Sequence, residues 1–243
     1  MSTQIRPLKD RKEAGLLLAT RLQRFQDNPQ TLVLALPRGG VEVGFMMSTQ
    51  LGLPLEVFLT RKLGYPGNPE YAMGAITETE YTWFNPDVFE MGKHREVGFK
   101  NFLEEEITRQ QREIERQRDL YRQGAKLRPL DQYTVILVDD GIATGSTFIA
   151  SVHSLRSLGI HRLIGGIPVG PAETINHIRT LVDHLEILHR PVPFVAVGIH
   201  YQHFPQVEDQ LVLQLLRTAH HNHSRSVHHV LSPDEKEPPW SQP

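Results

Sequence analysis

Two adjacent carboxylates, Asp139 and Asp140, stand directly after the predicted strand Gln132–Val138. Carboxylates in this place suit sugar hydroxyls or a hydrated Mg²⁺, because both are bound by oxygen acceptors. The small residues of Gly141–Thr147 follow, in which glycines allow close backbone approach and Thr and Ser add hydroxyl donors. A helix predicted to begin at Thr147 would add free N–H groups and a positive dipole end. The segment therefore predicts phosphate and diol recognition side by side.

Each of these features has a structural explanation when it stands alone. An Asp-Asp-Gly sequence is typical of a turn, and Ser or Thr at a helix start is an ordinary N-cap. The order of the features favours a binding loop instead, because the carboxylates and small polar residues lie between a buried strand and a helix.

The surrounding segments alternate between short apolar runs and stretches with apolar residues three and four positions apart. This alternation predicts an α/β fold, a doubly wound parallel sheet in which ligands bind beyond the carboxyl ends of the strands. The predicted strands are Thr31–Leu36, Leu55–Thr60, Gln132–Val138, Leu163–Val169, Leu185–Leu188 and Phe194–Val197, and the predicted helices are Leu8–Phe25, Val41–Leu51, Thr147–Leu158, Ala172–Val182 and Leu211–Leu216.

A long insertion, residues 64–125, interrupts this alternation within a domain predicted to span residues 1–219. Tyr71–Trp83 has the pattern of a strand and a turn, and Lys93–Arg122 that of one long, mostly polar helix with Glu–Arg pairs at helical spacing. This helix is explained equally well as a partner-facing arm, a cap over a site or a solvated surface helix. A partner-facing arm would imply a homodimer. Residues 220–243, rich in His and then in Pro, are predicted to be a disordered tail.

Composition excludes several classes of function. The formal net charge is -2, so the basic excess of a non-specific nucleic-acid binder is missing. The sequence has no cysteine, which excludes disulfides, cysteine nucleophiles and thiolate metal sites. No apolar run has the length of a membrane span, and the polar N-terminus has no signal-peptide core. We expect a cytoplasmic protein that binds neither nucleic acid nor membranes.

The segment VDDGIATGST, Val138–Thr147, resembles the phosphoribosyl-diphosphate (PRPP) signature of type I phosphoribosyltransferases. Three further segments are similar to those of a phosphoribosyltransferase subfamily whose substrate is undefined: ALPRGGVEVG (Ala35–Gly44), RKLGYPGNPEYAMGA (Arg61–Ala75) and FVAVGIHYQHF (Phe194–Phe204). The resemblance covers roughly residues 5–217 and implies a phosphoribosyltransferase-like domain with an added long helix and a small cap.

The resemblance also implies roles for individual residues. Asp139 and Asp140 would contact the ribose hydroxyls, directly or through Mg²⁺, the implied cofactor. Arg38, Gly39 and Gly40 would bind pyrophosphate, for which exposed backbone N–H groups and a guanidinium are suited. The remaining implied residues are the catalytic cations Arg61 and Lys62, the mobile loop Gly64–Glu70, and the phosphate loop with Gly141, Ala143, Thr144, Gly145, Ser146 and Thr147.

The implied reaction is transfer of ribose 5-phosphate from PRPP to a nitrogenous base or related small-molecule acceptor, with release of pyrophosphate. Ala143 departs from the 6-oxopurine enzymes of the family, which usually have an aspartate there, so hypoxanthine and guanine are disfavoured. His200 and His203 could line a base pocket or belong to a packed aromatic turn. Two other functions stay open: a regulatory protein that binds PRPP or a nucleotide, and a nucleotide hydrolase or phosphorylase.

Overall fold

The computed structural model describes residues 6–95 and 98–230 and contains eight strands in two sheets. Five strands form one parallel sheet, which confirms the predicted doubly wound α/β class. The strands are β1 Thr31–Ala35, β2 Leu55–Val57, β3 Thr60–Tyr65, β4 Asn68–Thr77, β5 Thr82–Phe84, β6 Thr134–Val138, β7 Arg162–Val169 and β8 His184–His189. The parallel sheet has the order β2-β1-β6-β7-β8, and the other sheet the order β3-β4-β5.

Helices cover both faces of the parallel sheet, as the alternating sequence pattern predicts. Every residue of β1 is buried, with Val33 and Ala35 in one hydrophobic cluster and Leu32 and Leu34 in the other. Strands buried on both faces have continuous apolar sequences. The helices are α1 Arg11–Arg21, α2 Gly39–Leu51, α3 Pro86–Arg95, α4 Phe99–Arg122, α5 Ser146–Ser157, α6 Ala172–Arg179 and α7 Asp209–Val230; α1, α2 and α7 pack in the first cluster, α5 and α6 in the second.

The chain leaves β1 and β6 in opposite directions. These two strands are neighbours, in a register that places Ala35 beside Val138. After β1 the chain passes through α2 to β2 at one edge of the sheet, whereas after β6 it passes through α5 to β7 on the other side. Diverging connections of this kind open a crevice at the carboxyl ends of the strands, where ligands of doubly wound proteins bind.

Residues 60–122, called the cap below, lie against α5 and differ from the predicted elements. The predicted strand Leu55–Thr60 is two strands, because β2 ends at Val57 and Thr60 begins β3 in the antiparallel sheet. The predicted loop Gly64–Glu70 is the tip of the β3–β4 hairpin, with its turn at Pro66 and Gly67. The long helix predicted over Lys93–Arg122 is wrong as a single element, since α3 ends at Arg95 and α4 begins at Phe99.

Helix α4 buries polar side chains, which explains why its apolar stripe is thin. Its buried residues include Glu106, Gln110 and Gln117. Glu106 Oε1 accepts the Gly64 N–H at 3.3 Å and the Gln110 side-chain N–H at 2.9 Å. Buried polar groups with partners of this kind fix one packing arrangement. Helix α4 therefore packs in the cap through one face, while its other face, which includes Glu105, Arg112 and Glu115, is exposed as expected for a surface helix.

Two predictions near the C-terminus also need correction. Phe194–Val197 forms no strand, and a 3₁₀ turn covers Val197–His200 instead. The tail predicted to be disordered from residue 220 is wrong for its first part, because α7 continues to Val230. Residues 231–243 of that tail lie outside the described part of the chain. Within the described residues, no helix is long and apolar enough to cross a membrane.

Candidate active site

The two segments that leave β1 and β6 touch each other at the crevice. A Cβ added to Gly39 would lie 1.8 Å from Asp140 Oδ2, and one added to Gly40 would lie 2.9 Å from the Val138 carbonyl oxygen. Both distances are far inside van der Waals contact, so only glycine fits at these positions. The sequence predicted both groups of residues for one site, and the structure brings them together.

Two helix N-termini open toward this crevice. Helix α2 begins at Gly39 with Arg38 as its N-cap, and α5 begins at Ser146 with Gly145 as its N-cap. In neither helix does the N-cap side chain accept a hydrogen bond from the first turn. The Ser146 N–H makes only a long contact of 3.5 Å with the Thr144 hydroxyl, and the Val41 N–H donates to the Arg38 carbonyl. Other N–H groups of the two first turns can meet an anion, which the helix dipole also attracts. Two separate anion positions follow, one at each helix.

The loop between β6 and α5 is held by hydrogen bonds to the end of β7 and to α6, and part of it is exposed. The Ile142 N–H donates to the Val169 carbonyl at 2.9 Å, and the Thr174 hydroxyl donates to the Ala143 carbonyl at 3.1 Å. Gly145 has φ of +75°, a left-handed conformation that favours glycine. Ala143 and Thr144 are exposed, Thr147 is half-buried, and the buried Ser146 hydroxyl lies 3.1 Å from that of Thr144. These contacts hold a small, hydroxyl-bearing loop in the shape that an anion needs.

Asp139 and Asp140 lie at the carboxyl end of β6 between the two anion positions. Burial raises the pKa of Asp139 well above its ordinary value, and the neighbouring charge of Asp140 raises it further. Burial also raises the pKa of Asp140, although the Arg11 guanidinium opposes this. Two carboxylates side by side and partly desolvated repel each other unless protons, a metal ion or a ligand compensate them. Such an arrangement is typical of a binding or catalytic site.

Arg38 is drawn toward the N-terminus of α7. Its guanidinium lies 3.7 Å from Glu208 Oε2 and 3.8 Å from Asp209 Oδ1. Asp209 also accepts hydrogen bonds from the Tyr121 hydroxyl and from Arg116 of α4. Burial raises the pKa of Asp209, but these two donors more than offset that effect and leave the pKa lowered. A charged Asp209 thus joins the predicted pyrophosphate arginine to the long helix of the cap.

The predicted catalytic cations Arg61 and Lys62 have a different place from the one expected. They lie inside β3, beside Ile76 and Ala75 of β4, and not at the end of a strand of the parallel sheet. Arg61 Nε donates to Gln110 Oε1 at 3.0 Å. Arg61 is thus tied to α4 within the cap, and a catalytic role for this pair remains a prediction.

Residues 201–205 form a packed aromatic turn beside the carboxylates. The rings of Tyr201 and Phe204 stack with centroids 4.8 Å apart, and the Tyr201 hydroxyl donates to the Asp140 carbonyl at 2.6 Å. The His203 side chain is exposed, and the backbone N–H of this residue donates to the Lys9 carbonyl at 3.0 Å. His200 stacks on Phe194, and burial lowers its pKa. Of the two interpretations of this segment, the structure supports the aromatic turn.

Arg11 is the site residue that the sequence did not reveal. It lies in the first turn of α1, a helix that the sequence marks only by its apolar stripe. Its Nε donates to Asp140 Oδ2 at 2.7 Å, and its side chain is 6% exposed. A charge buried to this extent is either paired or functional, but burial cannot be read from an isolated Arg near a helix start.

The carboxylate pair has the donor chemistry that a Mg²⁺ ion takes in proteins. Mg²⁺ in phosphate-handling sites is held by one or two carboxylates together with substrate oxygens and water. The described residues include no group of three or more His, Asp or Glu side chains that could hold a metal ion by themselves. Asp139 and Asp140 are two oxygen acceptors that could contribute to such a site.

Asp139, Asp140 and the loop that follows them lie within the residues matched by a family model. The family model described as the phosphoribosyl transferase domain matches residues 11–194, from Arg11 to the segment after β8. Two curated proteins, from Mycobacterium tuberculosis strains CDC 1551 and H37Rv, are each 36% identical over 211 residues, and each is named provisionally as a phosphoribosyl transferase. The match covers 87% of this chain and 46% of theirs, so the chain spans about half the length of these relatives.

A solved structure is similar over nearly its whole length. The protein TT1426 of Thermus thermophilus is 33% identical to this chain, with a TM-score of 0.69. The similarity covers 86% of this chain and 97% of that one. The parallel sheet and the crevice described above therefore belong to an architecture that this bacterial protein shares.

Proposed function

The chain belongs to the phosphoribosyl transferase domain family, and on that premise we propose that it transfers ribose 5-phosphate from PRPP to a nitrogenous base or related acceptor, with release of pyrophosphate. The observation that carries the proposal is the meeting of two helix N-termini and two carboxylates in one crevice. PRPP has a phosphate at one end and a pyrophosphate at the other, joined by a ribose that carries two hydroxyls. These three groups match the two helix N-termini and the carboxylate pair of the crevice.

Each part has one task in this proposal. The loop of Gly141–Thr147 and the N-terminus of α5 hold the 5-phosphate, and the N-terminus of α2 with Arg38 holds pyrophosphate. Asp139 and Asp140 accept hydrogen bonds from the ribose hydroxyls, and they are the residues that would hold Mg²⁺. Bound Mg²⁺ would supply positive charge that stabilises the departing pyrophosphate.

The chemistry requires no nucleophile on the protein. As the bond to pyrophosphate breaks, positive charge develops on the sugar, and the nearby carboxylates stabilise it. The crevice also positions the acceptor nitrogen and excludes water, which would otherwise hydrolyse the sugar. Exposed Ala143 cannot exchange a proton with the acceptor, which supports an acceptor other than a 6-oxopurine. A homodimer and a cytoplasmic location remain predictions from the sequence.

A ligand panel tests the proposal. The full chain is titrated calorimetrically with Mg²⁺ and PRPP, and pyrophosphate release is then measured with PRPP and a set of nitrogenous bases. We expect PRPP binding and release of pyrophosphate with at least one base. Binding without release for any base would favour the regulatory alternative, and release of a base from nucleoside monophosphates would favour the hydrolase or phosphorylase. Absence of PRPP binding would refute the proposal.

Replacement of Arg38 by Gln tests the pyrophosphate position. A hydrogen bond to a charged group contributes about 1.5–3 kcal/mol, so pyrophosphate affinity should fall roughly tenfold to a hundredfold. Arg24→Gln is the matched control, because Arg24 lies in the 3₁₀ turn before β1, at the end of the sheet opposite the crevice. Calorimetry with pyrophosphate measures both variants. Equal losses in the two would mean that only the net charge of the protein matters.

A further inference from the structure

Arg11 lies between three segments that meet at the carboxylate pair. Its Nε donates to Asp140 Oδ2 at 2.7 Å, and a second guanidinium nitrogen donates to the Pro205 carbonyl at 2.8 Å. Its guanidinium carbon lies 3.7 Å from the centroid of the Phe204 ring. A guanidinium that is buried, stacked and hydrogen-bonded on two sides has a single orientation. Arg11 is therefore a fixed partner for Asp140.

The same aromatic turn holds Asp140 by its backbone. The Tyr201 hydroxyl donates to the Asp140 carbonyl, and the ring that bears it stacks on Phe204, beneath Arg11. Residue 140 is thus held at its carboxylate by α1 and at its carbonyl by residues 201–205. Neither contact lies within the segment Gly141–Thr147.

The pairing fixes the orientation of the Asp140 carboxylate. Arg11 engages Oδ2, and the Asp139 carboxyl is a further hydrogen-bonding neighbour of the same group. The Asp140 side chain is still 16% exposed, so a ligand can reach the carboxylate. Glu42 Oε1 also lies 3.6 Å from Arg11, so that the cation faces more than one carboxylate. Without Arg11, Asp139, Asp140 and Glu42 would form an uncompensated acidic cluster, and Asp140 would turn away from it.

We propose that Arg11 and Tyr201 are positioning residues for sugar recognition, because they hold Asp140 so that its carboxylate accepts a hydrogen bond from one ribose hydroxyl. This inference rests on the proposed function. It assigns to α1 and to the aromatic turn a task at the ribose, while the phosphate is held elsewhere, at the N-terminus of α5. Loss of either residue should then weaken binding of the sugar more than binding of the phosphate.

The experiment compares ribose 5-phosphate with inorganic phosphate by calorimetry, in buffer containing Mg²⁺. The dissociation constant of phosphate divided by that of ribose 5-phosphate measures the contribution of the sugar. We expect Arg11→Gln to lower this ratio at least tenfold, and Tyr201→Phe, which loses one hydroxyl, to lower it about threefold. Arg11→Lys keeps the charge but loses the planar guanidinium and its stacking on Phe204, so it should lower the ratio less than Arg11→Gln does. Arg24→Gln removes a distant cation as the control and should leave the ratio unchanged.

A purely structural role would weaken both ligands alike and leave the ratio intact, which would overturn the proposal. Equal losses in Arg11→Gln and Arg11→Lys would also overturn it, because the charge would then not hold Asp140. Should Arg11→Gln fail to fold, Tyr201→Phe decides the question, and an unchanged ratio in that variant refutes the proposal. If the unmodified protein binds neither ribose 5-phosphate nor PRPP, the proposed function itself falls, and this inference with it.

Discussion

Asp139→Asn is expected to lower pyrophosphate release about a thousandfold, the scale on which loss of one stabilising group at a reacting centre acts, while the protein becomes more stable. Asparagine retains an oxygen that can accept the Asp140 N–H, as Asp139 Oδ1 does at 2.8 Å. It removes the charge that burial and Asp140 make unfavourable. In this variant the loss of activity is therefore not explained by a loss of stability.

The pH dependence of this gain follows from the raised pKa. The folded protein holds the Asp139 proton more tightly than the unfolded chain, whose Asp has a pKa of about 3.9. Stability of the unmodified protein therefore falls as pH rises from that value through the folded pKa. Thermal unfolding with a chelator present should show the variant more stable at pH 7.5, by about 2–4 °C for each kcal/mol gained. The difference should vanish near pH 4.

Asp183→Asn is the matched control, and the opposite sign is expected. Burial raises the pKa of Asp183, but Arg156 and the Leu163 N–H outweigh burial and leave the pKa lowered. Asp183 directly precedes β8. The Arg156 guanidinium lies 3.0 Å from its carboxylate and the Leu163 backbone nitrogen 2.7 Å from it. Its charge therefore stabilises the fold above the unfolded pKa, and the stability is lost as pH falls. A loss of stability in Asp139→Asn at pH 7.5 would contradict the account of the carboxylate pair.

Gly39→Ala is expected to weaken PRPP binding at least tenfold and to lower the free energy of unfolding by about 2 kcal/mol or more, toward the range seen when a buried ion pair is broken. The new methyl carbon would lie 1.8 Å from Asp140 Oδ2 and 3.1 Å from Arg11 Nε. Asp140 must then leave Arg11, or α2 must move away from β6. Either change disturbs the pyrophosphate position and the diol position together. Calorimetry with PRPP and urea unfolding measure the two losses.

Gly166→Ala is a suitable control for that substitution. Gly166 lies in the buried strand β7, and an added Cβ would meet the side chains of Met47 and Val138 at 3.5 Å, an ordinary contact. We expect its PRPP affinity to match that of the unmodified protein. If Gly39→Ala binds PRPP as tightly as Gly166→Ala does, the two segments at the crevice are not held as close as the structure places them.

Much of the parallel sheet and of the helices around it could be predicted from local sequence patterns. The apolar runs of β1, β6 and β7 and the amphipathic helices between them could be read from the sequence, because strands buried on both faces and helices on a parallel sheet leave distinct periodicities. The loop of Gly141–Thr147 could also be read, since its order of residue types is confined to one contiguous stretch. The family resemblance seen there agrees with the family model.

The cap was harder to predict because its stabilising contacts are polar and distant in sequence. By residue type, Glu106 and Gln110 are expected on the surface of an exposed helix. Their hydrogen-bonding partners nevertheless include Gly64 and Arg61 of β3. The continuation of α7 past residue 220 was missed for a related reason. A polar, histidine-rich composition indicates disorder only when no neighbouring surface supports a helix. The half-buried His223 shows that α7 still packs on the protein beyond residue 220.

The sequence by itself determined that a pair of carboxylates adjoins a small, hydroxyl-bearing loop, since Asp139, Asp140 and the loop that follows them are neighbours in the chain. The tertiary structure alone decided which residues complete this site. Arg11 and Asp140 are 129 positions apart, and only the packing of α1 beside the carboxyl end of β6 brings them to 2.7 Å. Composition and periodicity report which side chains are buried against local neighbours, whereas the pairing of one buried charge with another depends on how distant elements are stacked.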